Sequence, residues 1–129
     1  MAARSALDAS AILALVHQEP GSERVTEALA LGAAMSAVNF SEVVAKLAEA
    51  GMTHREIHEV LDSLQIEVVP FDTVSAYEAG LLRPATRHLG LSLGDRACLA
   101  LARLLGVPAL TTDRAWSDLP LGVPVQVIR

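Results

Sequence analysis

The stretch Ser92-Leu93-Gly94-Asp95-Arg96-Ala97-Cys98-Leu99-Ala100-Leu101-Ala102-Arg103-Leu104-Leu105 decides the fold class, together with the run Ala109-Leu110-Thr111-Thr112-Asp113 that follows it. The first segment is nearly apolar all round, which suits a helix covered on most sides rather than one lying on a surface. The second is a strand-length apolar run that ends in an acid. A covered helix leading into a strand is the repeating unit of a parallel sheet, because parallel neighbours need a crossover connection between them.

The same alternation extends back to the N-terminus. Ser5-Ala6-Leu7-Asp8 is a short apolar run ending in an acid, followed by Ser10 and a helical stretch from Ala11 to His17. Pro20-Gly21 marks a turn, and Ser22 to Leu31 reads as a second helix with Ser22 as its cap. Ala33 to Val38 is a buried strand. Asn39 then caps a helix with Phe40, Val43, Val44 and Leu47 on one face and Gly51 at its end. Thr53 and Glu56 form a capping box for a helix whose apolar stripe is Ile57, Val60, Leu61 and Leu64. Ile66 to Phe71 is a β-branched strand. Asp72, read as an N-cap, opens a helical region that Pro84 kinks on its way to His88. Val123 to Ile128 is the last strand. Strands separated by helices imply one three-layer α/β/α sandwich around a central, mainly parallel sheet, with residues 1–129 forming a single domain.

Composition bounds the function. Of 129 residues, 52% are apolar, enough for a core without disulfides, and the 19% that are charged are few enough to suggest a further buried surface such as a dimer face or a partner groove. The single Cys98 excludes an internal disulfide and reads as a small buried hydrophobe. No apolar stretch reaches the ~18 residues of a membrane span, and the N-terminus enters a strand without a signal-peptide core, so a soluble cytoplasmic protein is expected. A net charge of −5 argues against coating nucleic acid by bulk electrostatics. It leaves room for an enzyme that meets phosphate through metal ions.

In an open parallel sheet, ligands bind beyond the carboxyl ends of the strands. Asp8 ends the first strand, Glu42 lies in the first turn of the helix after the second, Asp95 in the first turn of the covered helix, and Asp113 directly after the strand that follows it. Each has a structural alternative. Asn39 to Glu42 and Ser92 to Asp95 both resemble capping boxes, Asp113 can cap a turn, and Glu42 can pair with Lys46 four residues on. Asp8 and Asp95 resist that explanation. The first sits at the end of a central strand, and the second shares its helix face with Leu99 and Ala102. Crowded carboxylates raise one another's pKa values unless a cation neutralises them. With no His near these positions and Cys98 read as a buried hydrophobe, the ion should be hard, Mg²⁺ or Mn²⁺, and the chemistry phosphodiester hydrolysis without a covalent intermediate.

Four segments together carry a family resemblance: Leu7-Asp8-Ala9-Ser10-Ala11, Asn39-Phe40-Ser41-Glu42-Val43, Ser92 to Ala100, and Leu110-Thr111-Thr112-Asp113-Arg114-Ala115-Trp116. In this order and at these intervals they resemble the PIN domain, and more narrowly the VapC-type toxins of bacterial toxin–antitoxin pairs. The resemblance covers essentially the whole chain. It implies a Mg²⁺- or Mn²⁺-dependent endoribonuclease that cuts structured RNA such as tRNA or rRNA and arrests translation. It also implies a homodimer silenced by a cognate antitoxin whose C-terminal segment crosses the active site. Asp8, Glu42, Asp95 and Asp113 match the family's acidic quartet. Of these, Asp8 and Asp95 are the implied direct ligands, and Glu42 and Asp113 act through water or on a second ion. Ser10 and Thr112 match the hydroxyl residues that support the first and last acids.

Arg96 and Arg114, each next to a quartet acid, are candidate RNA phosphate contacts, with ordinary surface or ion-pair roles as the alternative. His54 and His58 read as solvated helix residues, Trp116 as packing against a strand end rather than stacking on a base, and Asp118 as a loop or cap residue. Three other readings compete: a PIN-fold nuclease outside any toxin–antitoxin pair, a PIN-fold binding module without catalysis, and a non-catalytic signalling-receiver-like domain. The last would need adjacent acids after the first strand and a lysine after the last, whereas the only lysine is Lys46. A dinucleotide-binding domain would need a G-x-G-x-x-G after the first strand, which is absent.

Overall fold

The computed structural model describes residues 2–129. Its five strands are β1 (Ser5–Leu7), β2 (Ala33–Ser36), β3 (Glu67–Val69), β4 (Ala109–Thr111) and β5 (Val125–Val127). The helices are α1 (Ala9–Val16), α2 (Ser22–Leu31), α3 (Ala37–Glu49), α4 (His54–Ser63), α5 (Thr73–Leu81), α6 (Arg83–Thr86) and α7 (Leu93–Leu105), with short 3₁₀ turns at Arg87–Leu89 and Arg114–Asp118. All strand pairings are parallel, in the order β3-β2-β1-β4-β5. Successive strands step outward from β1 to β3, and the chain then crosses to the other side of β1 for β4 and β5. The strand order therefore reverses between β1 and β4, which is where a parallel α/β sheet opens a crevice.

Side chains alternate across the sheet as the pleat requires. Leu7, Ala33, Met35 and Leu110 face α1 to α4, where they join Ile12, Val25, Val43, Leu47, Ile57 and Leu61 in one core. Ala6, Ala34 and Ala109 face the other way, towards α5 and α7. Three alanines on neighbouring strands leave little side-chain bulk beneath α7, so its segment Ala97 to Ala102 is wholly buried and the Cys98 thiol lies 3.9 Å from the Ala6 carbonyl oxygen. That close seat brings the N-terminus of α7, with Asp95, to the crevice rim. The three-layer α/β/α fold expected from the sequence is present, and no helix among the described residues is long and apolar enough to cross a membrane.

Several expected boundaries shift for identifiable reasons. Asp8 itself caps α1, accepting from the Ala11 amide, so the helix begins before Ser10. The cap of α2 is Gly21 at φ 96°, where a Cβ would meet the Ile128 backbone, and Ser22 is already helical. β2 stops at Ser36 because the Ser36 hydroxyl accepts from the Val38 amide and starts α3 there. Asn39 consequently lies inside the helix and is not its cap. The segment expected as a strand from Ile66 to Phe71 pairs only over Glu67–Val69, on an exposed edge. The Thr53–Glu56 capping box and the Asp72 cap form as expected, whereas the kink expected at Pro84 is a break at Leu82, with Pro84 in the first turn of α6.

Candidate active site

Asp8 stands where β1 ends, only 5% exposed. One carboxylate oxygen accepts from the Ser10 hydroxyl at 2.7 Å and the Ala11 amide at 2.9 Å, and the other accepts from the Thr111 hydroxyl at 2.6 Å. Thr111 Oγ1 in turn accepts from the Asp113 amide at 3.0 Å, and Ser10 Oγ accepts from the Thr112 amide at 3.0 Å. Two hydroxyls thus join the ends of β1 and β4 around one buried carboxylate. The supporting hydroxyl on β4 belongs to Thr111; Thr112, expected in that role, contributes its backbone amide instead. Strand register explains the correction. Leu7 pairs with Leu110, so the next residue on each strand brings Asp8 beside Thr111.

Burial pushes the Asp8 carboxyl above its ordinary range, and the negative charge of Asp95 adds to the rise, against the hydrogen bonds from Thr111, Ser10 and the Ala11 amide. Beneath the rim, burial raises the Cys98 thiol well above its usual value, followed by the charges of Asp8, Asp95 and Glu42. The charges of all three acids thus reach Cys98, and that of Asp95 also reaches Asp8. Among the described residues the salt bridges are Arg55–Glu59 and Arg129–Glu19, and none reaches the acids at the rim. The Glu42–Lys46 pair, the structural alternative for Glu42, is not among them.

Glu42 is held sideways. Asn39, 1% exposed, donates from Nδ2 to Glu42 Oε1 at 3.1 Å and to the Gly94 carbonyl oxygen at 2.9 Å, tying α3 to the first turn of α7. A Cβ on Gly94 would fall on the Glu42 carboxylate, 2.6 Å from Cδ. Glu42 therefore lies across a glycine, and the capping-box alternative for it does not form. The Ser92–Asp95 capping box does form: Asp95 Oδ2 accepts from the Ser92 amide at 2.9 Å. Asp113 is exposed and caps the turn after β4 by accepting from the Ala115 amide at 2.9 Å.

The donor set is all carboxylate oxygen, which fits a hard divalent cation. Each acid, however, is occupied by local donors, and among the described residues no three His, Cys, Asp or Glu side chains gather tightly enough to hold an ion in this conformation.

Of the two candidate RNA contacts, Arg96 makes a structural contact. It is half-buried, and its Nη1 donates to the Ala79 carbonyl oxygen at 3.1 Å, joining α7 to α5. Arg114 is exposed beside Asp113. Trp116 is fully buried in the core on the α7 side, as its packing reading anticipates. His54 and His58 are exposed on α4, and the Asp118 side chain lies outside the described residues. Thr111, Asn39 and Gly94 are the site residues that sequence reasoning missed in these roles.

The model of the PIN domain family matches residues 6–121. The chain is similar in structure to one from a toxin–antitoxin complex of Klebsiella pneumoniae, with TM-score 0.76, 17% identity, and coverage of 97% of this chain and 98% of that one. It is also similar to a chain of DNA-bound VapBC from Salmonella typhimurium, with TM-score 0.75, 19% identity and 98% coverage of both. A third likeness is to FitAcB from Neisseria gonorrhoeae, with TM-score 0.66, 21% identity, and coverage of 94% and 95%. At these identities the likeness concerns the fold. No curated protein matches the chain in sequence.

Proposed function

The chain belongs to the PIN domain family, and from that premise we propose that it is a Mg²⁺- or Mn²⁺-dependent endoribonuclease of the VapC toxin type. One observation carries the reading. Asp8 is a buried carboxylate at the switch point of the sheet, without a basic partner among the described residues, and the charge of Asp95 reaches it. A buried uncompensated charge is costly, and a divalent cation is the partner that relieves it.

In this reading Asp8 and Asp95 are direct ligands, and Glu42 and Asp113 act through water or on a second ion. Ser10 and Thr111 orient the Asp8 carboxylate by donating to both of its oxygens. A bound Mg²⁺ or Mn²⁺ supplies Lewis acidity at the scissile phosphate of RNA. Arg114, exposed next to Asp113, meets a neighbouring phosphate. An acidic chain of net charge −5 then engages RNA through its site rather than through a basic surface.

The solved chains it resembles come from toxin–antitoxin assemblies, which supports a cognate VapB-like antitoxin as partner. The same reading takes residues 1–129 as one domain working in the cytoplasm on RNA such as tRNA or rRNA, and as a homodimer. Val74, Tyr77 and Leu81, exposed along α5, supply apolar surface for an assembly. Induced expression in a bacterial host tests the toxin assignment. Growth and protein synthesis should stop, and the Asp95→Asn variant should restore both. A host unaffected by well-folded protein contradicts it and favours a PIN nuclease outside a toxin–antitoxin pair.

A further inference from the structure

Asn39 is the only asparagine in the chain, and it is buried on the same face of α3 as Val43 and Leu47, four and eight residues on. A polar side chain in such a place must find partners. Its Nδ2 lies between two acceptors, Glu42 Oε1 and the Gly94 carbonyl oxygen, and each of its two hydrogens serves one of them. Only an amide nitrogen satisfies both, so the amide orientation is fixed by its neighbours. The remaining oxygen, Oδ1, is buried without a partner. The residue thus bears the cost of an orphaned acceptor to keep its donors in place. From the opposite side, Gly94 leaves the space that the Glu42 carboxylate occupies, which any larger residue would fill.

We propose that Asn39 and Gly94 form a latch that holds the Glu42 carboxylate over the first turn of α7, in fixed relation to Asp95 one residue beyond Gly94. Asn39 is a positioning residue: it acts through Glu42 and touches neither ion nor RNA. The part of this inference that concerns metal rests on the ribonuclease reading, whereas the latch itself does not. Removing groups that orient metal ligands typically weakens metal affinity about 10–100-fold. Gly94→Ala is a mild way to open the latch, since alanine is favoured over glycine in a helix and the flexible Glu42 side chain can swing aside.

The first measurement uses metal-free protein in chelator, labelled with ¹⁵N asparagine, so that the single side-chain NH₂ pair is read directly. Glu42→Gln and Gly94→Ala should each shift one of its two proton resonances and speed that proton's exchange with solvent. If neither variant moves the pair, the latch does not exist. The second measurement is Mn²⁺ affinity by electron paramagnetic resonance in Asn39→Leu, Gly94→Ala, Glu42→Gln and the Asn39→Leu/Glu42→Gln double variant. Asn39→Leu and Gly94→Ala should each weaken binding about 10-fold or more, and Asn39→Leu should add nothing once Glu42 is Gln. An additive loss in the double variant overturns the positioning role and marks Asn39 as a packing residue. If the wild type binds no Mn²⁺, the metal-site reading and the role assigned to the latch fall together, and the resonance shifts still show whether the contact is made.

Discussion

The Thr111 hydroxyl donates to Asp8 across 2.6 Å, joining residues 103 apart in sequence at the point where the order of the sheet reverses. Thr111 is fully buried, and its oxygen also accepts from the Asp113 amide, so one hydroxyl fixes the carboxylate at the end of β1 and the turn after β4. Thr111→Val keeps the shape and removes both bonds. It should destabilise the protein by about 1–3 kcal/mol, the cost of leaving a charged acceptor and a buried amide short of a partner. Chemical denaturation measures this, and a loss near zero would mean that water replaces the hydroxyl.

Burial makes Asp8 a source of pH dependence. Its folded pKa is raised above the ordinary value of 3.8, so between that value and the raised one the folded state binds more protons than the unfolded state. Stability due to this group is therefore present at low pH and is lost as pH rises through the window. In chelator, Asp8→Asn should flatten that part of the profile and melt above the wild type at pH 7. Matching pH profiles for the two proteins would contradict the burial cost assigned here.

Metal should reverse the penalty. An ion that binds only the folded state stabilises it in proportion to its concentration over its dissociation constant, by about 2.7 kcal/mol at a hundredfold excess. Mn²⁺ should thus raise the melting temperature of the wild type progressively and leave Asp8→Asn and Asp95→Asn nearly unmoved. Equal shifts in all three proteins would place the effect elsewhere on the surface.

The parts of the molecule that follow from local pattern were legible in the sequence. The buried α7, the Thr53–Glu56 box, the Asp72 cap and the interruption of the helix near Pro84 each depend on a few adjacent residues. The short strands β3 and β5 were overestimated because β-branched runs also occur where an edge strand simply stops pairing. Thr111 was hidden by a question of register: choosing it over Thr112 requires knowing that Leu7 sits opposite Leu110. Asn39 was misread because an asparagine before an apolar-periodic run is the usual cap signal, whereas Ser36 had already started the helix. The spacing of Asn39, Val43 and Leu47 held the contrary clue, since it puts the amide on the buried face. Gly94 carries no signal of its own in the sequence, because its importance depends on Glu42 crossing it from another helix.

In the proposed function, acids at the β1–β4 switch point hold the ion used to cut RNA. The most direct test is cleavage of purified tRNA and rRNA by the purified chain with and without Mg²⁺ or Mn²⁺, beside Asp8→Asn and Asp95→Asn. Cleavage should require the ion and fall at least about 100-fold in either variant, in line with the loss of a charged group made essential by the transition state. If both variants cut as well as the wild type, or cutting persists undiminished in chelator, the assignment of this rim as the active site is wrong.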